Sequence, residues 1–184
     1  MRIRVSIRAV FLALAAAACG WSQGSPAGLA PFVPSPQVVV DKMLEAAHLK
    51  PGETLYDLGA GDGRVVITAA KRYQAKAVGV ELSGDLCALA RREVRAAGLE
   101  DQVLILHGDL LGVDLSPADV VIVYLLTHSN ERLRPNLERY LKPGARVVSH
   151  DFAIRGWEPV RTERVEAGSR VHTIYLYEVK NKKK

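Results

Sequence analysis

A glycine-rich turn and three carboxylates occur at spacings that are typical of a ligand-binding site. The turn is Asp57-Leu58-Gly59-Ala60-Gly61-Asp62-Gly63, and the other two acids, Glu81 and Asp109, each stand close after an apolar run. Glycine lets the backbone turn sharply and lie against a ligand without a Cβ in the way. A carboxylate accepts hydrogen bonds from ribose hydroxyls, amino groups and ammonium groups. We therefore predict a site for a ligand that carries a ribose and positive charge rather than a phosphate anion.

The spacing assigns one part of the ligand to each acid. Glu81 lies 18 residues after Gly63, where an acid can accept from both ribose hydroxyls. Asp109 is placed to accept from an adenine amino group, and Asp57 lies near the expected ammonium of a methionine moiety. As structural alternatives, Asp57 would cap the turn, Glu81 would cap a helix and Asp109 would be a loop acid. The predicted cofactor-binding set is Asp57, Gly59, Ala60, Gly61, Asp62, Gly63, Glu81, Leu82, Asp109 and Leu110.

Alternating strands and helices must position these residues. Strands are predicted at 54–58, 77–81, 103–106, 118–125 and 145–149, and a final pair at 161–165 and 171–179 is predicted to form a hairpin. Helices are predicted at 37–48, with Ser35 as its N-cap, at 64–72, between Ser83 and Gly98, and from near Pro135. This alternation predicts an α/β fold, a Rossmann-like doubly wound and mostly parallel sheet with an antiparallel C-terminal hairpin edge.

The N-terminus has the pattern of an export signal. Three arginines precede the apolar run 9–18, which is too short to span a bilayer but suits a signal-peptide core. Cys19 follows in a context that resembles a bacterial lipoprotein cleavage box, so it would carry a lipid tether; the alternative is ordinary cleavage before it. We expect a bacterial protein that is periplasmic or membrane-anchored, or cytoplasmic if the start codon is wrong. The expected segments are a signal peptide at 1–19, a linker at 20–36, one domain at 37–179 and a basic tail at 180–184.

The basic residues are concentrated at the two ends of the chain. The sequence has 25 Lys and Arg against 20 Asp and Glu, but three arginines lie in the first ten residues and four lysines in the tail. Without these seven, 25 − 7 = 18 basic residues remain against 20 acidic ones. A basic groove is not evident, so we predict no nucleic-acid partner. Only Cys87 lies in the domain, which excludes a cysteine metal site; we predict no metal and a monomer.

The stretches at 56–66 and 79–82 resemble those of class I S-adenosylmethionine (SAM)-dependent methyltransferases. More narrowly, the chain resembles the seven-strand lysine methyltransferases, whose branches act on mitochondrial inner-membrane proteins and on histones. The likeness includes Pro34-Ser35-Pro36, continues through 119–126, 133–137 and 144–149, and covers roughly residues 32–178. The resemblance implies a methyltransferase domain with SAM as cofactor and a protein lysine amine as methyl acceptor.

Methyl transfer from SAM is an in-line displacement, which requires alignment and exclusion of water. A lysine acceptor must first lose its proton, and a desolvated channel of aromatic and carbonyl groups lowers its pKa without a dedicated base. We expect Tyr124, at the end of the fourth strand, to lie nearest the methyl group. His150, followed by Asp151 and Phe152 after the fifth strand, is the second catalytic candidate. The structural alternatives are a packed strand-end aromatic for Tyr124 and a hydrogen-bonded loop histidine for His150.

Three functions stay open on the sequence. The first is a protein-lysine methyltransferase, the second an N- or O-methyltransferase of small molecules, and the third an exported binding module that keeps the fold without transferring methyl. The segment after the fourth strand has no Asn-Pro-Pro-Tyr, and no Pro-Cys pair is present. Both features argue against methylation of nucleic-acid bases.

Overall fold

The computed structural model of the protein describes residues 32–180. The predicted signal peptide, Cys19, most of the predicted linker and the last lysines lie outside the described residues. The helices are α1 (Gln37–Ala46), α2 (Arg64–Tyr73), α3 (Gly84–Ala96) and α4 (Thr127–Tyr140), with a short 3₁₀ helix at Leu110–Gly112. The strands are β1 (Thr54–Leu58), β2 (Lys76–Glu81), β3 (Val103–His107), β4 (Val120–Val123), β5 (Arg146–His150), β6 (Arg161–Ala167) and β7 (Arg170–Glu178).

The seven strands of the described chain form one sheet in the order β3-β2-β1-β4-β5-β7-β6. Strands β1 to β5 are parallel, whereas β7 runs antiparallel to both β5 and β6. The strand order reverses between β1 and β4, and the crevice outside the carboxyl ends of such strands is where open α/β sheets bind ligands. The predicted doubly wound fold with an antiparallel edge is confirmed.

Both faces of the sheet are covered by apolar layers. In β4, Val120 and Ile122 pack with the residues of α1, α2 and α3, whereas Val121 and Val123 face the opposite layer, which contains Leu133 and Leu137 of α4. Successive strand side chains point to opposite faces, so a strand covered on both sides must be apolar throughout. The rigid sheet therefore fixes the positions of the loops at its carboxyl edge.

Helix α4 begins eight residues before the predicted start at Pro135, which lies inside the helix. Apart from Leu133, the first turns, Thr127 to Arg134, are polar and carry no apolar period that would reveal them. They are anchored instead by buried polar contacts, including the Asn130 side chain, which donates to the carbonyl of Phe152 at 3.0 Å. Proline has no N–H to donate to the carbonyl four residues earlier, so tertiary contacts must compensate for the lost hydrogen bond.

Two further predictions of local structure were wrong. Strand β4 is four residues long rather than eight, because the apolar residues on either side of it pack as loops. Ser35 is not the N-cap of α1; that position belongs to Pro36, and the Ser35 hydroxyl contacts His150 instead. Among residues 32–180, no helix has the length and apolar character that a membrane span requires.

Candidate active site

The glycine-rich turn lies against the end of β2. The N–H groups of Gly59 and Ala60 both donate to the carbonyl of Val80, at 2.8 and 3.0 Å. A Cβ at Gly79 of β2 would lie 2.8 Å from the Cβ of Ala60, so the turn can approach the strand this closely only because Gly79 has no side chain. The turn ends at Gly63, which is the N-cap of α2.

The ring of Phe32 lies over Gly61 in the same turn. Gly61 has φ +55°, in the left-handed region, and a Cβ there would collide with the Phe32 ring. Glycine is therefore needed at this position both for the backbone conformation and for the close approach of the ring. The segment before α1 thus lies across the predicted cofactor loop.

Asp57 is the penultimate residue of β1, next to the turn, and is 5% exposed. Burial, together with the negative charges of Glu81 and Asp62, raises the pKa of Asp57 to about 7. A cation bound beside this carboxyl would relieve both the desolvation and the repulsion, whereas an anion would add to the repulsion. The site therefore fits a ligand with an ammonium or sulfonium group and does not fit a phosphate.

Glu81 at the end of β2 accepts two backbone hydrogen bonds. One carboxylate oxygen accepts from the N–H of Gly61 at 2.9 Å and the other from the N–H of Ser83 at 2.8 Å. The carboxylate thus joins the glycine turn to the start of α3. The helix itself is capped by the Ser83 hydroxyl, which accepts from the N–H of Leu86 at 3.4 Å, so Glu81 is not its cap.

The third acid follows β3, next to the end of β2. The N–H of Gly108 donates to the carbonyl of Glu81 at 2.8 Å, which fixes the loop that carries Asp109. The Asp109 side chain accepts from the N–H of Leu111 at 2.9 Å and caps the 3₁₀ helix. Leu110 is buried and Leu82 is 37% exposed at the mouth of the crevice. The structure thus brings the predicted residues of the three loops to one edge of the sheet.

Asp62 forms a bidentate ion pair with Arg64. The Arg64 guanidinium donates to both carboxylate oxygens, with Nε 3.0 Å from Oδ1 and NH2 2.6 Å from Oδ2. Burial raises the pKa of Asp62, but the Arg64 hydrogen bonds outweigh it and bring the pKa below the usual value. The remaining guanidinium nitrogen donates to the carbonyl of Ser35 at 2.7 Å. Asp62 therefore fixes the N-terminal segment through Arg64.

Tyr124 and His150 lie side by side at the ends of β4 and β5. The strand register pairs Val123 with Ser149, so the next residue of each strand is also adjacent. The two rings are stacked with their centroids 3.8 Å apart. On the other side, Val123 pairs with Leu58 of β1, and the Leu125 side chain lies 3.6 Å from the Cβ position of Gly59. Tyr124 therefore stands next to the cofactor loop.

His150 is fully buried, and both of its ring nitrogens have partners. Its Nδ1 lies 3.0 Å from the Ser35 hydroxyl and its Nε2 lies 2.9 Å from Nδ1 of His172. Burial lowers the pKa of His150 to about 4, although the charge of Asp151 opposes this. His150 therefore contacts the open site through the Tyr124 ring rather than directly.

Asp151 completes this cluster. Its Oδ2 lies 2.9 Å from Nδ1 of His172, and its Oδ1 accepts from the N–H of Thr173 at 2.8 Å. Burial raises the pKa of Asp151, but these hydrogen bonds and the two histidines lower it further than burial raises it. Burial and then the negative charge of Asp151 raise the pKa of the Tyr124 phenol.

Ser35 and His172 were missed as site residues by the sequence analysis. They lie 115 and 22 residues from His150. His172 belongs to no motif, and Ser35 lies in the Pro34-Ser35-Pro36 segment of the family likeness, which carries no site role. The only available signal for His172 was its place in the final hairpin, whose pairing partner the sequence did not reveal. The roles of Tyr124 and His150 in catalysis stay predictions.

The sheet order, the glycine turn after β1 and the acids after β1, β2 and β3 together define a class I methyltransferase with SAM as its cofactor. The family model of the ANTKMT methyltransferase domain matches residues 57–161. The chain belongs to this family of methyltransferases.

Known relatives agree with this assignment. A protein-lysine N-methyltransferase of Saccharolobus islandicus is 48% identical over 148 residues, which are 80% of this chain and 92% of that protein. The adenine nucleotide translocase lysine N-methyltransferase of Mus musculus is 33% identical over 149 residues, 81% of this chain but 63% of the mouse protein. The chain thus spans less than two thirds of the mouse enzyme.

A crystal structure described as an RNA methyltransferase from Salinibacter ruber, in complex with S-adenosyl-L-homocysteine, has the same fold. Its TM-score is 0.77 at 43% identity, covering 83% of this chain and 97% of that one. All three relatives are described as methyltransferases, but they differ in the acceptor that their descriptions state.

Proposed function

We propose that this protein transfers the methyl group of SAM to the ε-amine of a protein lysine. The observation that carries the proposal is the position of Tyr124, an aromatic ring at the switch point, adjacent to the cofactor loop and fixed by its stack on His150. The likeness to a protein-lysine N-methyltransferase over 92% of that enzyme supports the same acceptor.

The cofactor would be held by the residues of the first three loops. Glu81 would accept from the ribose hydroxyls, Asp109 would bind the adenine amino group, and Asp57 would lie near the ammonium group of the methionine moiety. SAM supplies an activated methyl group on a positively charged sulfur. The three acids thus meet a ligand whose charge is opposite to theirs, which stabilises binding without phosphate-binding groups.

The protein's task on the acceptor side is to align a neutral amine. The partly buried ring of Tyr124 offers a flat surface on which a lysine side chain can lie. The ammonium loses water when it lies there, and this desolvation lowers its pKa. The proton then leaves to solvent before the amine attacks the methyl carbon in line.

A protein acceptor is favoured over RNA by the charge of the domain. Between the two basic ends, 18 basic residues face 20 acidic ones, whereas binding to phosphate backbones depends on an excess of lysine and arginine. Because the similar Salinibacter structure is described as an RNA methyltransferase, the assay must include RNA as a second acceptor.

The test is a transfer assay with SAM labelled in its methyl group. Purified protein is incubated separately with bacterial proteins, total RNA and small amines, and Glu81→Ala serves as the control without cofactor binding. We expect label in protein, located on lysine by mass spectrometry and absent with the variant. Label only in RNA or in small amines would replace the proposed acceptor. Binding of SAM without any transfer would favour the binding-module alternative.

We also propose that the protein is exported, with Cys19 as the lipid-bearing residue. The support is the arginine-rich start, the short apolar run and the cysteine that follows it. Fractionation of bacterial cells that express the full chain tests this. Recovery in the membrane fraction, lost with Cys19→Ser, is expected; a cytoplasmic protein of full mass would contradict export.

A further inference from the structure

We infer that His150, Asp151 and His172 form a binding site for one divalent transition-metal ion beneath the Tyr124 ring. The inference concerns the cluster at the ends of β5 and β7 and is independent of the identity of the methyl acceptor. It departs from the prediction that the protein has no metal site, because that prediction considered cysteine ligands and motifs along the chain.

The three side chains bring their ligand atoms to one point. Nε2 of His150, Nδ1 of His172 and Oδ2 of Asp151 are separated by 2.9, 2.9 and 3.4 Å. Nitrogen and oxygen ligands bind zinc at about 2.0–2.2 Å, so neighbouring ligands around one ion lie roughly 2.9–3.5 Å apart. The cluster already has the spacing that one ion requires.

The hydrogen count of the cluster also favours a cation. When Ser35 accepts from Nδ1–H of His150, Nε2 of that ring presents a lone pair to the cluster, as the Asp151 oxygen does. The Nδ1–H of His172 is then shared by two acceptors, Nε2 of His150 and Oδ2 of Asp151. A divalent ion in place of that hydrogen would bind three lone pairs at once, and the hydrogen would move to Nε2 of His172 as the neutral ring changes tautomer.

Contacts outside the cluster orient its members. Ser35 fixes the ring of His150 through Nδ1, and the N–H of Thr173 fixes the second carboxylate oxygen of Asp151. Such outer hydrogen bonds are typical of metal ligands, whose tautomer and direction they set. Asp151 also has φ +59°, a left-handed conformation that is uncommon outside glycine and that occurs preferentially at functional sites.

The ligand set selects the kind of ion. Two imidazoles and one carboxylate suit Zn²⁺, Fe²⁺ or Co²⁺, whereas Mg²⁺ and Ca²⁺ prefer oxygen ligands alone. Three protein ligands leave a coordination position for water, as in catalytic zinc sites. The ion would reach the buried histidines past Asp151, whose side chain is 18% exposed.

A bound ion would tie together three parts of the molecule. It would join β5 to β7 through His150 and His172, and it would fix the ring on which Tyr124 stacks. Because Ser35 contacts the same ring, the segment across the cofactor loop would be fixed as well. Occupancy of the site thus stiffens the acceptor side of the crevice.

The experiment uses the full chain without a histidine tag. The protein is freed of metal with a chelator and titrated with Co²⁺, whose visible absorption reports its ligands, and with Zn²⁺ as competitor. We expect one Co²⁺ per chain, displaced by Zn²⁺, and a rise in melting temperature with either ion. His172→Gln and Asp151→Asn should each weaken Co²⁺ binding by roughly 100-fold or more.

Matched controls keep the inference falsifiable. His48→Asn removes an exposed imidazole far from the cluster, at a left-handed position that asparagine tolerates, and should leave Co²⁺ binding unchanged. SAM binding by calorimetry identifies which variants are folded. A folded wild type that takes up no Co²⁺, or uptake that survives both cluster substitutions, would overturn the metal site. Neither outcome depends on methyl transfer, so the proposed function is tested separately.

Discussion

The cofactor side and the acceptor side of the crevice are built in different ways. On the cofactor side, the predicted residues lie at the carboxyl ends of β1 and β2 or in the segments directly after β1, β2 and β3, and backbone N–H groups and carbonyls make most of the contacts. On the acceptor side, buried side chains from residues 35, 124, 150, 151 and 172 contact one another. The first side depends on local chain geometry and the second on tertiary pairing.

This difference separates what substitutions should do on the two sides. Backbone groups shape the cofactor loop, and the carboxylates of Glu81 and Asp109 keep acceptor capacity for a ligand beyond their own backbone hydrogen bonds. A side-chain cluster is coupled, so a change in one member alters the position of the others. We therefore expect cofactor-side variants to change SAM affinity and acceptor-side variants to change turnover.

The largest expected effect is that of Glu81→Ala. The carboxylate would lose hydrogen bonds to two ribose hydroxyls, each worth about 1.5–3 kcal/mol for a charged acceptor, so SAM affinity should fall by roughly 100-fold or more. Calorimetric titration with SAM and S-adenosyl-L-homocysteine measures it. Glu100→Ala, at an exposed loop position, is the control. Equal SAM binding by wild type and Glu81→Ala would contradict the assigned role of this acid.

Tyr124→Ala tests the acceptor side and should lower turnover by roughly 10- to 100-fold. The substitution removes the ring next to the cofactor loop and leaves the acids of the other side unchanged, so SAM affinity should stay within about threefold. Tyr124→Phe keeps the stack on His150 and should retain more activity than the alanine variant. A loss of SAM affinity equal to that of Glu81→Ala would break the separation between the two sides.

The raised pKa of Asp57 predicts a pH dependence confined to the cofactor side. Below pH 7 the carboxyl of the free protein is protonated, so binding of an ammonium beside it must release that proton. SAM affinity should therefore fall by up to about tenfold for each pH unit below 7, and Asp57→Asn should abolish this slope. A flat profile for the wild type would contradict the contact with the ammonium.

The same carboxyl affects the stability of the free protein with a definite sign. Between about pH 4 and pH 7 the folded protein keeps a proton on Asp57 that the unfolded chain has lost, so stability falls as the pH rises through this window. Asp57→Asn should remove this decrease and raise the melting temperature at pH 8 by roughly 5 °C. Thermal unfolding of both proteins at pH 4.5 and pH 8 measures it. The same difference in melting temperature between wild type and Asp57→Asn at the two pH values would contradict the linkage.

The smallest expected effect is that of Gly61→Ala. The new methyl group would displace the Phe32 ring and strain a left-handed residue, at about 1–2 kcal/mol. We expect SAM affinity to fall only a few-fold, because the segment that carries Phe32 can move away. The double variant Phe32→Ala with Gly61→Ala should recover part of the loss, and no recovery would show that backbone strain alone is responsible.

The cofactor side could be predicted from the sequence, whereas much of the acceptor side could not. The strand–turn–helix pattern around Asp57 to Gly63 and the acids after the next two strands fold locally, so the sheet, its switch point and the cofactor set were predictable. The start of α4 was not, because Thr127 to Arg134 are polar apart from Leu133 and become helical through contacts such as that of Asn130 with Phe152. His172 and Ser35 were invisible for a related reason, since only tertiary pairing brings them to His150.

The position of β7 between β5 and β6 affects the order in which the two sides of the crevice form during translation. The cofactor loops are complete once residue 110 has been synthesised, whereas His172 arrives with the last strand. At about 5–20 residues per second, several seconds of translation separate the two events. A ribosome-bound chain would therefore contain the parts that take up the methyl donor before it contains those that fix its acceptor side. Methyl transfer would therefore have to wait until β7 pairs with β5 and brings His172 to His150.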